Sequence, residues 1–303
     1  MESVPRASDP KLLARLARLE LRARTAVEGM VGGNHRSSAF GASSTFAQHR
    51  EYVPGDDIRH LDWKLIARTE RNIVRQYEEE TDLTGFVVLD ASASMKFGSL
   101  DWSKHEYATW IAAGLAHLLN IQGDKSSLAI TRGAEMQSFL PPRRGDAHFR
   151  TMIEQLEEVQ PDGEGDPALG LETALAHMDR RGLVIWISDC LGDPEAARRA
   201  ASQLRHDRHD LITLRILDPA EIDFPYGRHT RFEALEGLDH LLLEPRAVRD
   251  AYLAEFEAHG AELRRGLRAL RTDFRRLPTH EPLDVGLTGF LDARAARLRR
   301  SRA

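Results

Sequence analysis

Gly85-Phe86-Val87-Val88-Leu89-Asp90-Ala91-Ser92-Ala93-Ser94-Met95 is the stretch that decides the fold. A run of apolar, β-branched and aromatic residues reaches an aspartate without meeting a charge, and serines follow at alternate positions. This is the pattern of a buried strand that ends in a polar loop. A carboxylate and two hydroxyls at a strand's carboxyl end are hard oxygen ligands, suited to Mg²⁺ or Mn²⁺ and poorly suited to Zn²⁺.

A second stretch has the same form. Leu183-Val184-Ile185-Trp186-Ile187-Ser188-Asp189 is apolar throughout and closes on Ser-Asp. Two such strands in one sheet bring Asp90 and Asp189 to the same edge, where open α/β sheets bind ligands. Between and beyond them, helices alternate with strands. Ser103-Lys104-His105-Glu106 is a capping box, followed by an apolar face of Tyr107, Trp110, Ile111, Leu115, Leu118 and Leu119. Residues 126–131 and 137–140 read as a hairpin around Gly133, with one strand antiparallel at an edge and Pro141-Pro142 as its end. Asp146 opens a helix carrying Phe149, Met152, Ile153 and Leu156. The acidic loop Pro161-Asp162-Gly163-Glu164-Gly165-Asp166 leads into a helix with Leu169, Leu171, Leu175 and Met178. A helix over 194–205, a strand over 211–216, a hairpin within 230–244, a helix over 246–270, a strand over 273–277 and a last helix near 281–294 complete the run. The expected class is α/β, Rossmann-like, with a mostly parallel central sheet and helices on both faces.

The segment before residue 81 reads as an N-terminal appendage. Asp9-Pro10 starts a helix with a Leu12, Leu16, Leu19 and Ala23 stripe, and residues 29–48, rich in glycine and serine, predict irregular backbone. No Gly-Lys-Ser/Thr closes this segment, which argues against a phosphate loop. In Arg50-Glu51-Tyr52-Val53-Pro54-Gly55-Asp56-Asp57-Ile58-Arg59-His60-Leu61-Asp62-Trp63, the Pro-Gly turn precedes a short helix faced by Ile58, Leu61 and Leu65. Arg50, Arg59 and Arg68 beside Asp56, Asp57 and Asp62 form either a structural staple or a surface that binds a partner or an anion. Asn72–Tyr77 alternates as a half-exposed strand. Three segments follow: the appendage over 1–80, the α/β domain over 81–293 and a basic tail over 294–303.

Composition removes several classes. Lys and Arg number 42 against 47 Asp and Glu, a net charge of -5, so nucleic acid is not the default partner. The single cysteine, Cys190, excludes an intrachain disulfide framework and reads as a small buried side chain. The N-terminus lacks the features of a signal peptide and no apolar run reaches the roughly 18 residues of a membrane span, which points to a soluble cytoplasmic protein. Asp90 lacks the second aspartate two residues on that a haloacid dehalogenase-type nucleophile needs, since Ser92 stands there. Neither a Gly-x-Ser-x-Gly elbow nor a His-Glu-x-x-His pair occurs, and His206 and His209 read as solvent-facing at a helix end.

Asp90-Ala91-Ser92-Ala93-Ser94 resembles the Asp-x-Ser-x-Ser loop of von Willebrand factor type A domains. Arg50-x-Tyr52-x-Pro54-Gly55-Asp56-Asp57-x-Arg59-x-x-Asp62-Trp63, with Ala67-Arg68 after it, resembles the bacterial domain-of-unknown-function 58 family over about residues 30–293. The first resemblance implies a metal-ion-dependent adhesion site. In it, Ser92 and Ser94 would ligate Mg²⁺ or Mn²⁺ directly, Asp90 and Asp189 would act through water, and a partner's carboxylate would fill the open position. The second implies an adaptor rather than an enzyme, partnering a MoxR-type AAA+ ATPase or its client in maturation or remodelling of protein complexes. One departure stands out: the family's threonine from the loop after the acidic segment is absent, Asp166 is the nearest oxygen donor to replace it, and Thr173 lies too far into the helix. Without that replacement the site would be degenerate and hold water. The alternative function is a Mg²⁺-dependent hydrolase or nuclease using Asp90, Asp166 and Asp189.

Overall fold

The computed structural model describes residues 45–51, 65, 73–78, 83–227, 230–233 and 240–283. The chain divides into two compact units, one over Asn34–Asp82 and one that includes everything described from Leu83 onward. In the first, β1 (Thr45–Glu51) pairs antiparallel with β2 (Ile73–Glu78), Arg50 opposite Val74. The irregular backbone expected over 29–48 therefore gives way to strand at Thr45: once the glycines and serines end, the chain makes ladder hydrogen bonds to β2, with a register shift between Phe46 and Gln48. The expected helix after Asp9, the motif residues 52–63 and the tail lie outside the described residues.

The second unit is built on a six-stranded sheet. β3 (Thr84–Asp90) and β4 (Lys125–Arg132) run parallel, and β5 (Glu135–Arg143) turns back antiparallel along the edge. On the other side of β3 lie β6 (Leu183–Ser188), β7 (Asp210–Leu217) and β10 (Asp273–Pro278), all parallel to it, giving the order β10-β7-β6-β3-β4-β5. A separate antiparallel hairpin joins β8 (Thr230–Glu233) to β9 (His240–Leu243). The expected α/β architecture, a mostly parallel central sheet with helices on both faces, is the one observed.

Helices cover both faces, as a parallel sheet requires. Val87 and Leu89 of β3 meet α1 (Lys104–Ile121) and α2 (Asp146–Glu158) through residues such as Ile111, Leu115, Phe149 and Met152. Phe86 and Val88 point the other way, into α3 (Pro167–Leu175), α4 (Pro194–His206) and α6 (Pro245–Ala269) through Leu171, Leu204 and Leu263. Between β7 and β8 a single helical turn and a half, α5 (Pro219–Asp223), is fixed by a capping box from Asp218 and Glu221. β3 and β4 meet through α1, whereas the chain leaves β5 and returns to the far side of β3 as β6. The connection reverses between β3 and β6, and the crevice at such a switch is where doubly wound sheets bind ligands.

Some local expectations are corrected. β5 continues through Pro141 and Pro142 to Arg143, because it is an edge strand and its register against β4 shifts at the pair, so one missing N–H faces the open side and the other falls at the irregularity. Leu169 is exposed rather than packed. His209 is buried, not solvent-facing: Gly182 N–H donates to its Nδ1, and its ring lies edge-on to Phe86. The last helix, expected near 281–294, falls almost wholly beyond the described residues. Among the described residues no helix is long and apolar enough to cross a membrane.

Candidate metal centre

β3 and β6 are neighbours in parallel register, Leu89 beside Ile187, so Asp90 and the Ser188-Asp189 pair leave the sheet side by side. All three are buried. After Asp90 the chain enters a 3₁₀ turn over Ala93–Lys96, held from outside by the acidic loop. Ala93 N–H donates to Gly163 O at 3.0 Å and Asp162 N–H to Ala91 O at 2.9 Å.

Asp90 is held entirely by neutral donors. Ser92 N–H donates to its Oδ1 at 2.9 Å and the Ser188 hydroxyl to its Oδ2 at 2.7 Å. Burial, and then the negative charge of Asp189, push its carboxyl up to about 7, against the pull of those hydrogen bonds. Ser92 Oγ and Ser94 Oγ stand 3.2 Å apart in front of it.

Asp189 is held by cations. Lys104, the first residue of α1 and completely buried, places Nζ 2.7 Å from Asp189 Oδ2 and 2.6 Å from Glu221 Oε1. Leu191 N–H reaches Asp189 Oδ1 at 3.2 Å, Ser94 also hydrogen-bonds the carboxylate, and buried Arg215 donates from Nε to the Asp189 carbonyl at 3.0 Å. Burial acts to raise Asp189, but the Lys104 ammonium and these donors hold it below the ordinary carboxylate range. Burial likewise opposes the charge on Lys104, and Asp189 and Glu221 outweigh it, so the ammonium titrates above its usual value.

The donor set suits a hard divalent cation. Neighbouring ligands of an octahedral Mg²⁺ bound at about 2.1 Å are about 3 Å apart. The Ser92–Ser94 spacing is close to that edge, with both aspartates behind it. Asp166 is half-buried and caps α3: its Oδ1 accepts from Ala168 N at 2.8 Å and its Oδ2 from Asp193 N at 3.1 Å. These bonds lace the acidic loop to the loop after β6. They require Gly192, because a Cβ there would collide with the Asp166 carboxylate. Thr173 is turned away as expected, its hydroxyl shared between Ala134 O and Leu169 O. The sheet does end in a threonine, Thr131, opposite Asp90 in the β3–β4 ladder, but its buried hydroxyl lies against Gly170 of α3. No cluster of three His, Cys, Asp or Glu side chains forms a metal site among the described residues, so any ion here depends on the serine hydroxyls. Cys190 is buried beside the site, with its thiol pushed well above the usual range by burial.

Of the other expected binding residues, Arg50 is described only by its place in β1, and Tyr52, Asp56, Asp57, Arg59, Asp62 and Trp63 lie outside the described residues. Lys104, Glu221 and Arg215 were not anticipated. A signal for Lys104 exists in the sequence: it is one of only five lysines, and it stands at the start of an apolar helix where a cation opposes the helix dipole.

A family model described as "Protein of unknown function DUF58" matches residues 48–262. The chain is 32% identical over 278 residues to the uncharacterized protein Rv1480 of Mycobacterium tuberculosis, covering 88% of this chain and 86% of that one. Among solved structures it is similar to the conserved hypothetical protein BatB from Bacteroides thetaiotaomicron, with 14% identity, a TM-score of 0.47, and coverage of 71% of this chain and 99% of that one. It is also similar to the SpRpn10 VWA domain, with 12% identity, a TM-score of 0.43, and coverage of 68% and 94%.

Proposed function

The chain belongs to the DUF58 family of proteins of unknown function, and on that premise we propose that it is a non-enzymatic protein-interaction adaptor whose metal loop engages a carboxylate on its partner. Ser92 and Ser94 would hold Mg²⁺, or Mn²⁺ in its place, directly; Asp90, Asp189 and Asp166 would support it through water. When bound, the ion supplies an electrophilic position for an outside oxygen ligand. The observation that carries this reading is the Ser92–Ser94 hydroxyl pair, held 3.2 Å apart in front of two buried aspartates at the switch of the sheet.

The rim supports a protein partner. Leu100, Leu169 and Leu191 are 38%, 41% and 44% exposed, and all three sit on segments that leave this edge. Leu191 follows Asp189 by two residues and Leu169 is bonded through its N–H to Asp166 O. The remaining exposed large aliphatic residue among those described, Ile121, ends α1 at the opposite edge. Exposed Glu164 and Asp193 flank the site, so an acidic partner would be repelled unless a cation intervened. The MoxR-type AAA+ ATPase, or its client, is the partner the family resemblance implies.

The test is a pull-down with full-length protein in Mg²⁺ and in EDTA, comparing wild type with Asp90→Ala plus Ser92→Ala. The expected result is a specific protein partner retained by wild type in Mg²⁺ and lost in the other three conditions. Capture indifferent to chelator and substitution defeats the reading, and phosphatase or nuclease turnover abolished by the substitutions would replace it with the hydrolase.

A further inference from the structure

Lys104 is the buried ammonium of the site, and the adhesion-type reading leaves it without a role. Its ammonium is fully buried, at the helix end least favourable to a cation, and its two ion pairs bridge the loop after β6 to α5. Glu221 is itself anchored: its Oε2 accepts from Asp218 N at 2.9 Å and its carbonyl from Tyr252 of α6 at 3.1 Å. Asp218 in turn accepts from Ser99 N at 2.9 Å, in the segment joining the metal loop to α1. One lysine thus ties together the segments that follow β3, β6 and β7.

We propose that Lys104 is the resident cation of this centre: it neutralises and positions Asp189 so that the site assembles without a divalent ion, and it limits any divalent ion to weak, exchangeable binding. The second half rests on the metal reading above; the first does not. Three carboxylates, Asp90, Asp189 and Glu221, are gathered here against two buried cations, Lys104 and Arg215. Removing the ammonium removes one of those positive charges and leaves Asp189 and Glu221 facing each other. A divalent ion would then meet more negative charge and no ammonium. Unit charges at short range interact by several times thermal energy even at an effective dielectric of about 20.

Full-length wild type, K104M, K104R and the triply neutral K104M/D189N/E221Q are compared by thermal unfolding in excess EDTA and in excess MgCl₂, and by Mn²⁺ titration followed by electron paramagnetic resonance. Wild type is expected to melt at nearly the same temperature in EDTA and Mg²⁺. K104M is expected to melt at least about 5 °C lower in EDTA, or not to fold, with K104R and the neutral triple variant recovering most of that loss. Where K104M folds, its Mn²⁺ affinity is expected to rise at least about tenfold over wild type, which loss of packing would not produce. An unchanged melting temperature for K104M, or a triple variant as unstable as K104M, overturns the resident-cation role. A Mn²⁺ affinity in K104M no tighter than wild type overturns the limit on metal binding. If no protein binds Mn²⁺, the adhesion-type reading fails, while the EDTA arm alone still decides the resident-cation role.

Discussion

Asp90 and Asp189 end adjacent strands of one sheet, both fully buried, and the protein treats them oppositely. Asp90 has only neutral donors for company, the Ser92 N–H and the Ser92 and Ser188 hydroxyls, and burial raises its carboxyl to about 7. Asp189 has an ammonium on its carboxylate and a guanidinium on its carbonyl, and stays ionised. The difference teaches that burial alone does not set the chemistry of a strand-end aspartate: the fixed charges that neighbouring elements bring do so. It also divides the labour at this edge. The Asp189 side is a structural ion pair; on the proposed reading, the Asp90 side, with the Ser92 hydroxyl turned to it, is the half that takes an outside ion.

The largest expected effect tests that division directly. Asp189→Ala strands Lys104 on Glu221 alone in a buried setting, and breaking a buried pair of this kind costs about 3–5 kcal/mol. Asp90→Asn loses one charge-assisted acceptor but also relieves the repulsion between the two carboxylates, so its cost is about 1 kcal/mol or less. Urea unfolding of the two variants in EDTA measures both, and equal losses would break the comparison.

A second contrast lies within one turn of α1. Lys104 is kept charged by two carboxylates, whereas His105, the next residue, is kept neutral: burial drives it down to about 4, with Arg132 adding to the fall, while Val159 O and Glu106 oppose it weakly. Its folded value lies below its unfolded one, so the unfolded chain binds the proton first. The stability from this residue is complete above about pH 6.5 and is lost as pH falls towards about 4, by about 3 kcal/mol in all. His105→Gln, which can still donate to Val159 O, should flatten that part of the stability–pH curve relative to wild type. Parallel curves would show that His105 titrates alike in the folded and unfolded chain.

Gly192→Ala is expected to have a smaller effect. The new methyl collides with the Asp166 carboxylate, which then gives up its bonds to Ala168 N or Asp193 N, at about 1–3 kcal/mol. Asp166→Ser in the same background should recover part of the loss, since serine still caps α3 and leaves room for the methyl. No recovery in urea unfolding would mean that the glycine serves some other contact.

What could be read from the sequence follows the range of the interactions. β3 and β6 were legible because a strand buried on both faces must be apolar throughout, and their terminal aspartates followed from chain direction alone. Lys104 was hidden by a local signal: Ser103 and Glu106 account for the capping box, and the lysine between them reads as its solvated filler. Its true partners are 85 and 117 residues away, a distance no periodicity spans. Pro141-Pro142 misled for the opposite reason. As local chemistry the pair ends a strand, and only the sheet shows that β5 is an edge whose register against β4 shifts at the pair, so that both missing N–H groups are tolerated.

The smallest effect on stability sharpens the functional half of the comparison. Leu169 and Leu191 are exposed on neighbouring segments joined through Asp166 and the Gly192-Asp193 backbone, and neither belongs to the buried core of the sheet. Replacing both with serine should change unfolding free energy by no more than about 0.5 kcal/mol, as for surface positions without special contacts. If the open, Asp90-side half of the edge is where a partner docks, the same double variant should weaken retention of that partner about tenfold or more, since truncating the few residues at the centre of an interface costs about 1 kcal/mol or more each. Leu191 stands closer in sequence to Asp189 than to any residue of the metal loop, so a loss confined to its single variant would assign the docking face to the ion-pair half instead. Equal contributions from Leu100, Leu169 and Leu191 would place the partner across the whole edge, with the ion at its centre.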